Sequence, residues 1–364
     1  MIIHDPSIIN NFQDYGIMLP IEASRADAIV SFLKQTGDCR LPILNIKESL
    51  DFLEESADCN ADGLTILTRS DLERVHSSAF ISDLFDSNLA LEKHLLESYE
   101  LLDKEGKPFR YEPQKAKKPL RDMFKNILKQ IEGSCVACRI ALKNKSGFSF
   151  FLSGGNHHSR YNNGAGFCLL NDVIIAARKM QAENRARLIW IIDVDVHKGC
   201  GSAELVDFIR KGINPTPFET GCNIITLSVH MAKGWPLDEE TLRTAEAGKA
   251  PLIPSDIEIP IEQNEDDNYV PYLKKGLNEF LKLSNSRKAD LAIVVDGADP
   301  YEHDGLKSSS LLRLTLDNCL ERDMLIYDFL QSQKIPSAWI LAGGYGERAW
   351  EVPANFLKTA GLNT

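Results

Sequence analysis

"RLIWIIDVDVHKGCGSAEL", residues 187–205, runs apolar from Leu188 to Ile192, then sets Asp193, Asp195 and His197 at every second position. An extended strand turns alternate side chains to one face, so the three polar groups share a side. Two carboxylates and an imidazole at the end of a hydrophobic strand repel or desolvate one another unless something positive sits among them. The stretch that follows, "GSAELVDFIRK", carries helical spacing. Strand then helix is one unit of a larger pattern if the rest of the chain repeats it.

The repeat is there from residue 148 onward. "FSFFLSGG" (148–155) is a short apolar run stopped by glycine, and "NDVIIAARKMQAEN" is a helix opening on an Asn cap. "NIITLSVH", "ADLAIVVDGADP" and "PSAWILAGGYG" read as strands; "NYVPYLKKGLNEFLKLS" and "TLDNCLERDMLIYDFLQSQ" read as helices. Continuous apolar strands alternating with helices predict a parallel sheet covered on both faces. The first third is helical: "SRADAIVSFLKQT", with Ser as a capping candidate, "IKESLDFLEES", "TRSDLERVHSSAFISDLF" and "LALEKHLLESYELLD". "PLRDMFKNILKQIEGSCVACRIALKN" reads as one long helix or two. The expected class is α/β: a single-domain three-layer α/β/α fold over residues 1–364, with a central, mainly parallel sheet. No Pro/Gly/Ser-rich linker, repeat or low-complexity tract argues for a split.

The 364 residues are 43% hydrophobic and 26% charged, a globular composition with length for a large core. A net charge of -11 argues against a general nucleic-acid surface and favours a substrate with Lys or Arg near its reactive group. The basic run "KEGKPFRYEPQKAKKPLRDMFK" (104–125) is expected as a solvated loop and helix start, and acidic "QNEDDNY" (263–269) as an exposed loop. "MIIHDPSIINNFQDYG" lacks a basic segment followed by an apolar one, and no window reaches the roughly 18 apolar residues of a membrane span. Eight cysteines show no secretory framework. Cys135 and Cys138 form a lone C-x-x-C, read as reduced, half-buried helix cysteines. The expected location is the cytoplasm, with a nuclear or secreted-effector location left open.

Polar residues gather past the C-terminal ends of the strands: His157 and His158 in "SGGNHHS"; Asp193, Asp195 and His197; Ser228 and His230; Asp296 and Asp299; Gly343, Gly344 and Tyr345. Ligands of open parallel sheets bind at those ends, so these residues are expected in one cleft. Asp195, His197 and a further aspartate, Asp299 or Asp296, offer two oxygens and a nitrogen. That donor set, with an open fourth position, holds catalytic Zn²⁺. The ion would offset the unpaired charge and lower the pKa of a bound water. A neutral histidine of the pair can act as base toward that water and then protonate a leaving amine. The glycines before Tyr345 let the chain turn tightly and aim the phenol at a developing oxyanion.

"SGGNHHSRYNNGAGFCLLND", "IIDVDVHKGCGSAEL", "ITLSVH", "VVDGADPYEHDGL" and "LAGGYGE" together resemble the histone deacetylase superfamily, with its arginase/deacetylase fold, from about residue 65 to 347. Trp235–Pro236, with "SDIEIPI" beyond it, is more similar to class IV and related bacterial members than to class I. The resemblance implies Zn²⁺ on Asp195, His197 and Asp299, His158 as general base and acid, His157 as electrostatic support, and Tyr345 on the acyl carbonyl. It implies that Asp193 orients His157 and helps bind K⁺ with Asp195 and the carbonyls of His197, Ser228 and Val229. Gly166, Phe167, Trp235 and Leu306 would line the acyl-lysine channel. The implied reaction is hydrolysis of an N-acyl amide on a protein, a peptide or a small amine such as an acetylated polyamine. The chain departs from the family pattern at Lys198 and Cys200. Cys200 stands where a carboxylate or amide would hold the ring N–H of His158, and thiols accept poorly. Lys198 would lower the pKa of that histidine if it points inward. The stretch from His197 to Ser228 is longer than usual, with an insertion read at 210–222. Two alternatives follow: a weakly active or inactive acyl-lysine binder, and a ureohydrolase-like enzyme with two Mn²⁺. The oligomeric state is not legible.

Overall fold

The structure, a computed structural model, describes residues 1–8, 11–37, 39–54, 67–213, 223–239, 241–242 and 252–362. Its strands are β1 (Ile2–Ile3), β2 (Ile43–Leu44), β3 (Phe148–Phe151), β4 (Ile189–Asp193), β5 (Ile224–Met231), β6 (Ile257–Ile261), β7 (Leu291–Asp296) and β8 (Ser337–Leu341). The helices used below are α1 (Arg25–Thr36), α2 (Ile46–Glu54), α3 (Arg69–Glu73), α4 (Ser78–Asp86), α5 (Asn88–Ser98), α6 (Met123–Lys143), α7 (Asp172–Ala182), α8 (Cys200–Arg210), α9 (Tyr269–Leu283), α10 (Leu316–Gln333) and α11 (Glu351–Leu362).

All eight strands are parallel, in the order β2-β1-β3-β8-β7-β4-β5-β6. Alternation along each strand builds two cores. Ile189, Ile191, Ile293, Val295 and Ile340 join α6 and α7 on one face. Trp190, Ile192, Val294, Trp339 and Leu341 join α1, α9, α10 and α11 on the other. Trp190 stacks on Phe280 with ring centroids 4.6 Å apart, and Trp339 on Phe356 at 4.4 Å. Continuous apolar strands are what two covered faces require. This is the expected three-layer α/β architecture.

The five strands read from sequence are β3, β4, β5, β7 and β8. β1 and β2 are two residues each, too short to show a period. β6 sits at the sheet edge and carries Pro260, which cannot donate to a neighbour. α6 is a single helix, and Cys135 and Cys138 are fully buried in the first core, not half-buried. Ser24 precedes α1 without a side-chain cap, whereas Asn171 Oδ1 accepts from Ile174 N at 3.0 Å to start α7. The helical run at 68–85 breaks in two because Thr68 and Ser77 each cap a separate helix. Residues 104–121 form exposed loop and short turns before α6, and Asp266 in the acidic run accepts from Arg313 N at 2.7 Å. Residues 214–222 of the insertion read at 210–222 lie outside the described residues. Among those described, no helix is long and apolar enough to cross a membrane.

Candidate active site

β4 ends at Asp193, and the chain beyond it bends, yet the two-residue alternation persists. Val194 and Val196 enter the second core. Asp193, Asp195 and His197 turn the other way, Asp193 toward the loop after β3 and the other two toward the ends of β7 and β8. Asp299 Oδ1 accepts from Val196 N at 2.9 Å, and Asp195 Oδ2 accepts from Gly343 N at 2.9 Å. His197 Nδ1 lies 3.2 Å from Asp195 Oδ1 and 3.1 Å from Asp299 Oδ2. One donor atom from each of Asp195, His197 and Asp299 falls within 4.8 Å of the others. Asp296, the alternative third ligand, turns away to Arg322 instead.

The fit of this cluster to a cation can be judged from its own surroundings. All three side chains are buried. A Cβ on Gly343 would lie 2.3 Å from Asp299 Oδ2 and 2.4 Å from Asp195 Oδ2, so the glycine keeps a cradle open. Lys198 and Arg25 do not fill it. Lys198 is ion-paired with Glu258, and Arg25 donates to the carbonyls of Ala342, Gly343 and Gly344 at 2.8, 3.1 and 2.9 Å. Burial pushes His197 down, but hydrogen bonds to Asp195 and Asp299 outweigh it and hold the imidazole up at about 10. Burial and the charge of Asp195 raise Asp299 to about 7. Burial alone would also raise Asp195, but His157 and His197 hold it well below the usual carboxylate range. The site thus calls for a positive charge among two oxygens and one nitrogen, the donor set of a catalytic zinc.

The paired histidines hang over this cluster from the loop after β3, their ring centroids 3.9 Å apart. His157 Nδ1 meets Asp193 Oδ2 at 2.6 Å. Burial lowers His157, but Asp193 and Asp195 overcome it and raise the group to about 9. Burial, then the imidazoles of His157 and His197, drive His158 well below its ordinary value. Behind His158 Nδ1, at 3.5 Å, is Cys200 Sγ on the first turn of α8. Lys198 does not point toward His158. Its partner Glu258 also accepts from His230 Nε2 at 2.7 Å, so neither Lys198 nor His230 joins the cleft. Ser228 pairs in register with Asp193 across β4 and β5, and its hydroxyl accepts from Gly199 N at 3.3 Å. Val229 is buried in the second core.

Tyr345 is nearly buried, and its backbone N donates to Asp304 Oδ2 at 2.8 Å. Burial and the charges of Asp299 and Asp195 push its phenol well above the ordinary range, so the hydroxyl keeps its proton. A cavity of about 160 Å³ leads to it. Gly166, Phe167, Trp235 and Leu306 line that cavity with His158, His197 and Tyr345. Phe167 has φ +66°, a left-handed conformation that costs a non-glycine residue about 1–3 kcal/mol and clusters at functional sites. A Cβ on Gly166 would come within 2.3 Å of Trp235 and 2.6 Å of His158, so only glycine fits between the rings.

Several site residues escaped the sequence reading. Ser308 Oγ lies 3.2 Å from His197 Nε2 and lines the same cavity. Glu100 and Arg110 stand in its lining as an ion pair, with the guanidinium 5.3 Å from the Phe167 ring centroid. Asp172 accepts from Gly155 N at 3.1 Å and Asn156 N at 2.7 Å, bracing the loop before the histidines. Arg25 fastens the glycine turn before Tyr345. Only Asp172 had a signal, an acidic residue beside a helix cap. The others lack any local pattern.

The family model "Histone deacetylase domain" matches residues 20–356. The chain is 28% identical over 226 residues to an uncharacterized protein of Picosynechococcus sp., covering 62% of this chain and 64% of that one. It is 25% identical over 231 residues to histone deacetylase 2 of Arabidopsis thaliana, 63% of this chain and 52% of that one. It is 29% identical over 202 residues to the acetoin utilization protein AcuC of Bacillus subtilis, 55% of this chain and 47% of that one. The alignments thus span roughly half to just under two thirds of these relatives. The crystal structure of the HDA15 HD domain shares the fold, with a TM-score of 0.61 at 17% identity, covering 100% of this chain and 91% of that one. The chain belongs to the histone deacetylase domain family.

Proposed function

We propose that this chain, acting as one catalytic unit, hydrolyses the amide of an acylated amine: an acyl-lysine on a protein or peptide, or a small acylated amine such as an acetylated polyamine. One observation carries the reading. The Asp195–His197–Asp299 cluster lies beside the histidine pair, and His158, His197 and Tyr345 from that assembly line one cavity with Phe167, Trp235 and Leu306. In this reading Asp195, His197 and Asp299 hold a zinc ion. Asp193, Asp195 and the carbonyls of His197, Ser228 and Val229 take a potassium ion. The zinc would supply Lewis acidity toward the acyl carbonyl and make a water more acidic.

The remaining work falls to side chains. Neutral His158 takes a proton from water and returns it to the departing amine. His157, kept cationic by Asp193, adds positive charge near the reacting carbonyl. Tyr345 donates a hydrogen bond to the carbonyl oxygen as it gains negative charge. Gly166, Phe167, Trp235 and Leu306 exclude water around the substrate stem. Water and amide become a free amine and a carboxylate. The free thiols of six described cysteines fit a reducing, cytoplasmic setting.

Cys200 favours a second reading: an acyl-lysine binder with slow or no turnover, because a thiol and not a carboxylate backs His158. One experiment separates the two. The zinc-loaded protein is assayed against acetyl-lysine and longer acyl-lysine peptides and acetylated polyamines. Release of amine from any of them supports hydrolysis. Binding of an acyl-lysine peptide without release, in fully loaded protein, supports the second reading.

A further inference from the structure

A buried cluster behind the strand ends takes no part in the chemistry above. Arg322 on α10, Asp296 at the tip of β7, and Asp323 are all wholly buried. Arg322 Nε donates to Asp323 Oδ1 at 2.7 Å, and Nη2 donates to Asp296 Oδ1 at 2.9 Å. Nη1 donates to two backbone carbonyls, Val194 at 3.1 Å and Gly297 at 2.8 Å. The Tyr269 hydroxyl on α9 also donates to the Val194 carbonyl, at 3.4 Å. The guanidinium's four bonds use four of the five N–H groups an arginine owns.

The remaining oxygens of the two carboxylates, Asp296 Oδ2 and Asp323 Oδ2, have no donor among the protein groups. Burial and the neighbouring charge of Asp323 drive Asp296 well above the carboxylate range. The guanidinium holds both carboxylates and two backbone carbonyls in one buried network, where low local dielectric strengthens each bond and makes the network rigid.

Its location gives the rigidity a use. Val194 directly precedes Asp195, and Gly297 stands two residues before Asp299. Both carbonyls lie just past the last residues of β4 and β7. We propose that Arg322 is a positioning residue for the metal centre: by binding the Val194 and Gly297 carbonyls with one planar guanidinium, it sets the spacing of the two strand ends that present Asp195 and Asp299. The inference rests on the zinc reading given above. Lysine cannot substitute, because a single ammonium on a flexible stem does not hold two carbonyls and two carboxylates in one plane.

The test is zinc affinity of the full chain, read by competition with a chromophoric chelator, beside kcat, KM and the urea midpoint. Arg322→Lys is expected to weaken zinc binding by about 10- to 100-fold, the range for groups that orient metal ligands. It should lower kcat with little change in KM, since the acyl cavity is untouched. A folded Arg322→Lys protein that binds zinc as tightly as the parent overturns the proposal. Tyr269→Phe removes one of the two donors to the Val194 carbonyl and should weaken zinc binding a few-fold. If Arg322→Lys does not fold, Tyr269→Phe decides, and unchanged zinc affinity there overturns the proposal. A parent protein that takes up no zinc would remove the zinc reading and this inference together. A parent that binds zinc, beside variants that bind it equally well, removes only the inference.

Discussion

His158 Nδ1 faces a thiol at 3.5 Å. A carboxylate there would fix the ring tautomer and raise its basicity. Cys200→Asp should therefore raise kcat on an acyl-lysine peptide, and an unchanged kcat would show that the thiol is not limiting. Tyr345→Phe should keep zinc and lose on the order of 10²-fold in kcat, the usual cost of one oxyanion donor. A variant with full kcat would take Tyr345 out of the chemistry. At this scale the sequence was most informative where polar residues interrupt an apolar strand, as at Asp193, Asp195 and His197. It was silent on Arg25, which grips Gly344 from 319 positions away, and on Ser308 and Arg322. No periodicity marks a residue whose partner is a backbone carbonyl on another strand. The direction of Lys198 was left open for the same reason, because its partner Glu258 belongs to a strand the sequence reading did not identify as one.

The strand ends work as a set. Asp193 pairs in register with Ser228 on one side and Val295 on the other, so β4 delivers its polar tip beside the tips of its neighbours. Gly343, just past β8, has no room for a side chain between Asp195 and Asp299. Gly343→Ala should keep the fold but lose most of the bound zinc, as measured by metal content after gel filtration. Zinc retained at the parent level would show that the cradle tolerates a methyl group. Long strands and helices were legible because several turns or alternations repeat within them. β1 and β2 were not, since two residues carry no period, and the pairing of β2 with β1 and of β1 with β3 is decided by packing across the sheet.

Across the whole molecule, stability should depend on a histidine outside the cleft. His76 is fully buried, with Nδ1 at 2.8 Å from the Arg160 carbonyl and Nε2 accepting from Asn171 N at 3.1 Å. Burial lowers its pKa to about 4, so the folded protein keeps it neutral. Above about pH 6.5 the unfolded chain is neutral there too, and no penalty exists. As pH falls from about 6.5 to 4, only the unfolded state takes up the proton, and folding loses about 3 kcal/mol from this group before the loss levels off. Urea midpoints over that range should fall less steeply for His76→Gln than for the parent, and equal slopes would reject this source of acid sensitivity. The three-layer plan itself was legible from alternating strand and helix, whereas the insertion near 210–222 rests on sequence alone.

The central claim, that two aspartates and one imidazole from separate strand ends hold a divalent ion, is tested most directly by metal stoichiometry and affinity in solution. The account predicts one zinc per chain for the parent, and loss of zinc and activity together in Asp195→Ala and Asp299→Ala with the fold intact. Two manganese ions per chain, or variants that bind zinc as the parent does, would contradict it.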